Sequence, residues 1–153
     1  MRFNFYLAND ATTPGQLDTH LLHLTHKLYG LGQRVVVRCP DAERMERVSL
    51  QLWKTPRESF LPHSCDGEDL PPDMQPVYLT TYGGNPNGAH VLMRLSGSDE
   101  DTQGVDEVIE FFSGLEAEKA AARKRWQFAK EKGAPRRFFV HENGRWQLKQ
   151  EAG

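Results

Sequence analysis

Three histidines, His20, His23 and His26, recur at intervals of three and are the first side chains along the chain suited to binding a metal. On a helix that interval brings neighbouring pairs together, but no glutamate or fixed third ligand completes an H-E-x-x-H pattern. They read as ordinary helix-surface histidines. Cys39 and Cys65 form no CxxC pair and lack metal-like spacing; Cys39, closing an apolar run, reads as a small core residue. Asp99, Glu100, Asp101 and Asp106 gather carboxylates, but without the EF-hand spacing or its glycine they read as a solvated loop. Phosphate chemistry is no better supplied. A dinucleotide site needs G-x-G-x-x-G between the first strand and its helix, and the corresponding stretch, Ala8-Asn9-Asp10-Ala11-Thr12-Thr13, holds no glycine. Gly30-Leu31-Gly32 falls where a helix end needs glycine for capping alone. Neither G-x-x-x-x-G-K-S/T nor G-x-S-x-G occurs. No catalytic residue, metal site or cofactor is expected.

What stands out instead is charge. Up to Leu115 there are 9 Lys and Arg against 16 Asp and Glu, whereas residues 116–149 carry 10 against 4, within a net charge of −2. A basic final third on an acidic body suits an acidic partner docking at one end, or else a solvated helix face. Arg123, Lys124, Arg125, Arg136 and Arg137 also leave open a direct binder of single-stranded nucleic acid, although the overall charge argues against strong binding. A small nucleotide-binding α/β enzyme is the other alternative, weakened by the missing glycine loop.

The elements that must position these residues follow from periodicity. Phe3, Phe5 and Leu7 alternate as one face of a strand. Thr13-Pro14-Gly15-Gln16 reads as a capping box opening a helix whose Leu17, Leu21, Leu24 and Leu28 form one apolar stripe, stopped at Gly30 and Gly32. Arg34–Cys39 is a β-branched run suited to a buried strand, so a parallel βαβ unit is expected. A second helix is predicted over Pro40–Trp53, with Met45, Val48 and Leu52 inward and Glu43, Arg44 and Arg47 outward. Lys54–His63 is read as a loop, Val77–Tyr82 and His90–Leu95 as strands, and Val105–Phe112, which fits either state, as a strand. Ser113–Glu116 reads as a second capping box, opening a helix to about Lys132 that Gly133 ends. Asn143-Gly144 signals a terminal hairpin. The expected fold is α/β: a single Rossmann-like domain over residues 1–153, with a mostly parallel sheet, flanking helices and a C-terminal hairpin. No apolar run approaches membrane-spanning length and the N-terminus lacks signal-peptide character, so a cytoplasmic location with no membrane partner is expected.

Three stretches taken together carry a family resemblance: Phe5-Tyr6-Leu7; Leu52-Trp53 followed by Ser59-Phe60-Leu61-Pro62-His63; and Ala122-Arg123-Lys124-Arg125-Trp126. In this order the chain resembles the chi subunit of bacterial DNA polymerase III holoenzyme, from about Phe3 to Gly133. The resemblance implies a clamp-loader accessory protein with a nucleotide-binding-like fold, no nucleotide site and no catalytic activity. It implies two partners, the psi subunit and the acidic C-terminal tail of single-stranded DNA-binding protein, which ends in Asp-Phe-Pro-Phe; nucleic acid is met only indirectly. Trp53 and Phe60 match the psi-binding aromatic pair, and Phe112, Arg123 and Trp126 match positions lining the tail pocket. Gln127 departs from the pattern, standing where the family has a lysine. The residues agree in kind, since a tail ending in Phe needs an apolar pocket and a cation for its carboxylate, which arginine meets with a planar fork. Arg123 and Trp126, three apart, are neighbours on one helix face. Read without the resemblance, Arg123 also fits a plain surface arginine, Trp126 a core residue packed on the sheet, and the Trp53–Phe60 stretch a loop folded onto the core.

Overall fold

The computed structural model describes residues 1–54 and 61–153. Their order is β1 (Arg2–Ala8), α1 (Pro14–Gly30), β2 (Val35–Arg38), α2 (Ala42–Lys54), β3 (His63–Cys65), β4 (Val77–Thr80), β5 (Val91–Leu95), β6 (Glu107–Ser113), α3 (Glu116–Glu131), β7 (Arg136–Glu142) and β8 (Arg145–Ala152). All eight strands join one sheet in the order β3-β4-β2-β5-β6-β1-β7-β8. Every pairing is parallel except the terminal β7–β8 hairpin. The Rossmann-like α/β reading is therefore the fold observed. No helix among the described residues is long and apolar enough to cross a membrane.

Local signals account for most boundaries. Thr13 caps α1 by accepting from the Gln16 N–H, and Pro14 opens the first turn. The reciprocal arm of the capping box is shifted by one residue: Gln16 Oε1 accepts from the Thr12 N–H at 2.6 Å. Asn143 and Gly144 both take left-handed φ values, 56° and 77°, as a two-residue type I′ hairpin turn requires. The stretch read as Val105–Phe112 resolves as strand over Glu107–Ser113, and β6 lies between β5 and β1.

The parallel βαβ unit expected of β1, α1 and β2 is present, with β5 and β6 lying between its two strands. Other expectations do not hold. Ser113–Glu116 is not a capping box. Leu115 occupies the cap position, while Glu118 reaches back to the Ser113 N–H. Arg44 does not face outward; its guanidinium forks onto the buried Asp18 carboxylate, at 2.7 Å for the shortest contact, and ties α2 to α1. The two ends of Lys54–His63 are not loop, since Lys54 still belongs to α2 and His63 opens β3, and Leu61 is fully buried. The acidic loop is also more than solvated surface. Backbone carbonyls of Asp99 and Asp101 accept from Arg38, and Asp101 Oδ2 accepts from the Gly84 N–H.

Alternation along the strands makes two cores. On one face α1 and α2 cover Val35, Val37, Leu79, Met93, Ile109 and Phe111, with Leu17, Leu21, Leu22, Val48 and Leu52 pointing down from the helices. On the other, α3 alone packs on Phe3, Phe5, Leu7, Val108 and Phe112 through Ala122 and Ala129. Beyond α3 that second face turns polar. Arg38, Arg94 and Glu110 point from β2, β5 and β6 into a layer roofed by the loops after β4 and β5. Glu110 Oε1 accepts from both Arg94 Nε, at 2.8 Å, and Arg125 Nε on α3, and Arg125 also reaches Glu100. One buried carboxylate thus fastens the helix to the sheet.

Removing one member of such a group strands the other charges in a dry environment, which costs about 3–5 kcal/mol. Glu110→Gln keeps the shape but not the charge. Urea unfolding is expected to show a loss of about 3 kcal/mol; an unchanged midpoint would mean that this carboxylate does not hold α3 down.

Candidate functional site

The polar layer leaves an aromatic opening on its other side. Between α3 and the hairpin lies a cavity of about 420 Å³. Its floor is Phe5 and Leu7 from β1 and Phe112 from β6; α3 supplies Arg123, Trp126 and Gln127, and the hairpin closes the far side with Phe138 and Gln150. The rings are already arranged. Trp126 meets Phe5 edge-on at 5.3 Å, and Phe112 stacks with Phe138 at 6.4 Å. The Arg136 guanidinium lies 5.2 Å from the Trp126 ring on a cation–π contact, which helps hold the indole in place. Arg123 and Gln127 stand exposed at the mouth. Lys119, also lining the cavity, is engaged with Glu116 at 3.1 Å, whereas Arg123 has no ion-pair partner among the described residues.

Such a cavity offers fixed ring faces, little side-chain entropy to lose, and a cation at the rim. It suits a short peptide bearing an aromatic residue and a carboxylate better than a phosphate. The place where a doubly wound fold seats phosphates is the crevice beyond β1 and β6, whose helices leave to opposite faces. There Gly114 and Asn9 approach closely: a Cβ on Gly114 would lie 3.2 Å from Asn9 Oδ1.

All four residues assigned to the pocket from sequence, Phe112, Arg123, Trp126 and Gln127, line this one cavity. Trp126 combines both readings, packing on the core and forming the pocket wall. Sequence reasoning missed Phe5 and Leu7, which it placed only on one face of a strand, and Lys119, Ala122, Phe138 and Gln150. The signal for Lys119 and Ala122 was present, since 119, 122, 123 and 126 follow helical spacing on one face. Nothing local marks Phe138 or Gln150, because the β7–β8 pairing brings them there.

The second candidate patch is partly described. Trp53, at the end of α2, is 52% exposed and lies against His63 with the rings tilted and their centroids 4.2 Å apart. Leu50, one turn earlier, is 53% exposed, and the two form an apolar strip to which the sequence reading had assigned Trp53 and Phe60 but not Leu50. Phe60 lies outside the described residues. His63 anchors the strip from below: its Nδ1 meets the Leu61 carbonyl at 3.0 Å, so that nitrogen is the donor, and Nε2 pairs with the Ser49 hydroxyl at 3.1 Å. Burial outweighs these contacts and lowers the His63 pKa.

The basic residues that suggested direct nucleic-acid binding do not assemble. Arg125 is drawn inward to Glu110, Arg136 is buried and Arg137 half-buried, leaving Arg123 and Lys124 as the exposed members. Both thiols are buried and free. Burial, then the nearby Asp18 charge, pushes Cys39 up to about 12, and burial pushes Cys65 to about 11, so neither is a thiolate near neutrality. The histidine reading needs correction. His20 does meet a carboxylate and a further imidazole, supplied by the β1–α1 loop and by β7: Asp10 and His141, 2.8 Å apart, with the His20 and His141 rings at 4.3 Å.

Comparison with known proteins places the chain beside one family. The family model described as DNA polymerase III chi subunit, HolC, matches residues 1–137. The chain is 29% identical over 129 residues to DNA polymerase III subunit chi of Escherichia coli (strain K12), spanning 80% of this chain and 86% of that one. Over 79 residues it is 34% identical to the protein named Probable DNA polymerase III subunit chi in Rickettsia prowazekii (strain Madrid E). That match covers 52% of this chain and 47% of the relative, so the chain spans about half of that relative's length. The family match takes in the β1, β6 and α3 walls of the cavity and ends before Phe138 and Gln150.

The buried imidazole gives a pH signature. A histidine whose folded pKa is depressed contributes stability fully present above its unfolded value of 6.5, lost as pH falls from there toward the folded value. The melting temperature is therefore expected to drop between pH 7.5 and pH 5.5, and His63→Gln should flatten that slope. Identical slopes in parent and variant would show that His63 does not couple the strip to the fold.

Proposed function

The chain belongs to the DNA polymerase III chi subunit family, and from that premise we propose that it is a non-catalytic accessory subunit of the clamp-loader complex. Residues 1–153 act as one chi-like unit in the cytoplasm with two grips. The α3–hairpin cavity takes the acidic C-terminal tail of single-stranded DNA-binding protein, ending in Asp-Phe-Pro-Phe. The α2 strip, with Trp53 and Phe60, takes the psi subunit. Through them the polymerase assembly is linked to coated single-stranded DNA, with no direct contact to nucleic acid required of this chain.

The observation that carries the reading is an aromatic cavity with an unengaged arginine at its mouth. The terminal Phe ring fits among Phe5, Phe112, Trp126 and Phe138, and its carboxylate comes within reach of the Arg123 fork. Acidic residues upstream meet the surplus of Lys and Arg on the final third. Gln127 stands at the same mouth and supplies no charge, so this chain relies more heavily on Arg123.

Calorimetric titration with a peptide ending in Asp-Phe-Pro-Phe is expected to give micromolar affinity, about −8 kcal/mol, since a flexible tail must be ordered on a small interface. Arg123→Ala should lose about 1–2 kcal/mol and most of the salt dependence, because this guanidinium is exposed to water. Gln127→Lys should tighten binding. If Arg123→Ala binds as the parent does, the tail pocket lies elsewhere.

For the second grip, the exposed half of Trp53 makes it an anchor that can be removed without opening the core. Trp53→Ala is expected to cost about 2 kcal/mol of psi binding at an unchanged melting temperature. A lost cooperative melt would assign Trp53 to the fold instead.

A further inference from the structure

We propose that Asp10, His20 and His141 form a binding site for a divalent transition-metal ion of the zinc class, held by two imidazoles and one carboxylate. The three residues come from separate parts of the chain: the loop after β1, the second turn of α1, and β7. Their ligand atoms all lie within 4.8 Å of one another. Around a tetrahedral zinc ion, bonds of about 2.0–2.2 Å place ligand atoms roughly 3.3–3.5 Å apart, so side-chain adjustments of about 1 Å close the cluster on an ion.

Two features favour a site over an ordinary ion pair. Asp10 and His141 already satisfy each other at 2.8 Å, yet a second imidazole is brought to 4.3 Å from His141, where a pair alone has no use for it. Both imidazoles are also held by packing. The Trp146 indole meets His20 edge-on at 5.1 Å and His141 at 5.0 Å, and is itself wedged against Tyr6 at 5.0 Å. Ligands fixed this way lose little freedom on binding. The Asp10 side stays open to solvent, giving an ion its way in and leaving a fourth position for water. Two nitrogens and one oxygen suit zinc, nickel or copper, whereas calcium and magnesium want an all-oxygen set.

The arrangement depends on the hairpin. His141 lies beyond residues 1–137, the segment matched by the family model. A bound ion would pin β7 to α1 and β1, and with them the strand that carries Phe138 into the cavity wall.

The test uses the full, tag-free chain stripped with chelator and titrated with zinc chloride by calorimetry. One ion per chain is expected, with a melting temperature several degrees higher when saturated. His20→Gln and His141→Gln should each weaken zinc at least roughly tenfold, while His23→Gln, one turn away and exposed, should bind as the parent does. Cobalt in place of zinc should give an intense visible spectrum in the parent that is lost in His20→Gln. Should His141→Gln fail to fold in chelator, His20→Gln alone decides. The proposal is overturned if the parent takes up no zinc below about 1 mM, or if His20→Gln binds zinc as tightly as the parent.

Discussion

A single buried carboxylate, Glu110, sets the geometry on which the rest depends. It stands on the sheet face opposite α1 and α2 and accepts from two guanidinium groups, Arg94 beside it and Arg125 above it. Arg125 is thereby turned down toward the sheet, which fixes the rotation of α3. With that rotation set, the small Ala122 and Ala129 meet the strands, Trp126 drops onto Phe5, and Arg123 and Gln127 reach the cavity mouth. A well-packed hydrophobic cluster in place of the whole Arg94–Glu110–Arg125 group would hold the helix as well or better. It would not distinguish one rotation of the helix from the next.

The two faces of the sheet accordingly serve different ends. One is dry and doubly covered, with Asp18 and Arg44 locking α1 to α2. The other has one helix where a doubly wound fold has two. Loops fill part of the gap by placing backbone carbonyls over Arg38, and the hairpin fills another part. The space left between helix and hairpin is lined with rings that no local element covers. An uncovered aromatic cleft next to a rigid polar layer is a form suited to gripping a short segment, because the receptor has almost nothing left to order.

How much of this was legible in sequence follows from the range of each signal. Alternation in Phe3–Leu7, the leucine stripe after Thr13 and the Asn143-Gly144 turn are local, and each gave the correct element. Arg123 and Trp126 were paired correctly because helical spacing is also local. Features created by pairing were invisible. His63–Cys65 carries too few residues to show a period, and becomes a strand only because Val77–Leu79 lies alongside. Arg44 looked like a surface residue until α1 brought Asp18 to it. Phe5 and Leu7 were placed on one strand face, and nothing in a strand's own alternation tells whether its covering helix reaches that far. Asp10, His20 and His141 are separated by up to 131 residues and meet only through the β1–β7 register. The second capping box failed for a simpler reason: Glu118, and not Glu116, turns back to Ser113.

The central claim is that the cleft between α3 and the hairpin, and no other surface, receives an acidic peptide with a C-terminal phenylalanine. Amide chemical-shift mapping on the isotopically labelled chain, titrated with that peptide, tests it most directly. The account predicts saturable shifts confined to residues around Phe5, Leu7, Phe112, Arg123, Trp126 and Phe138, with α2 unmoved. Shifts centred on α2 instead, or none at millimolar peptide, would contradict it.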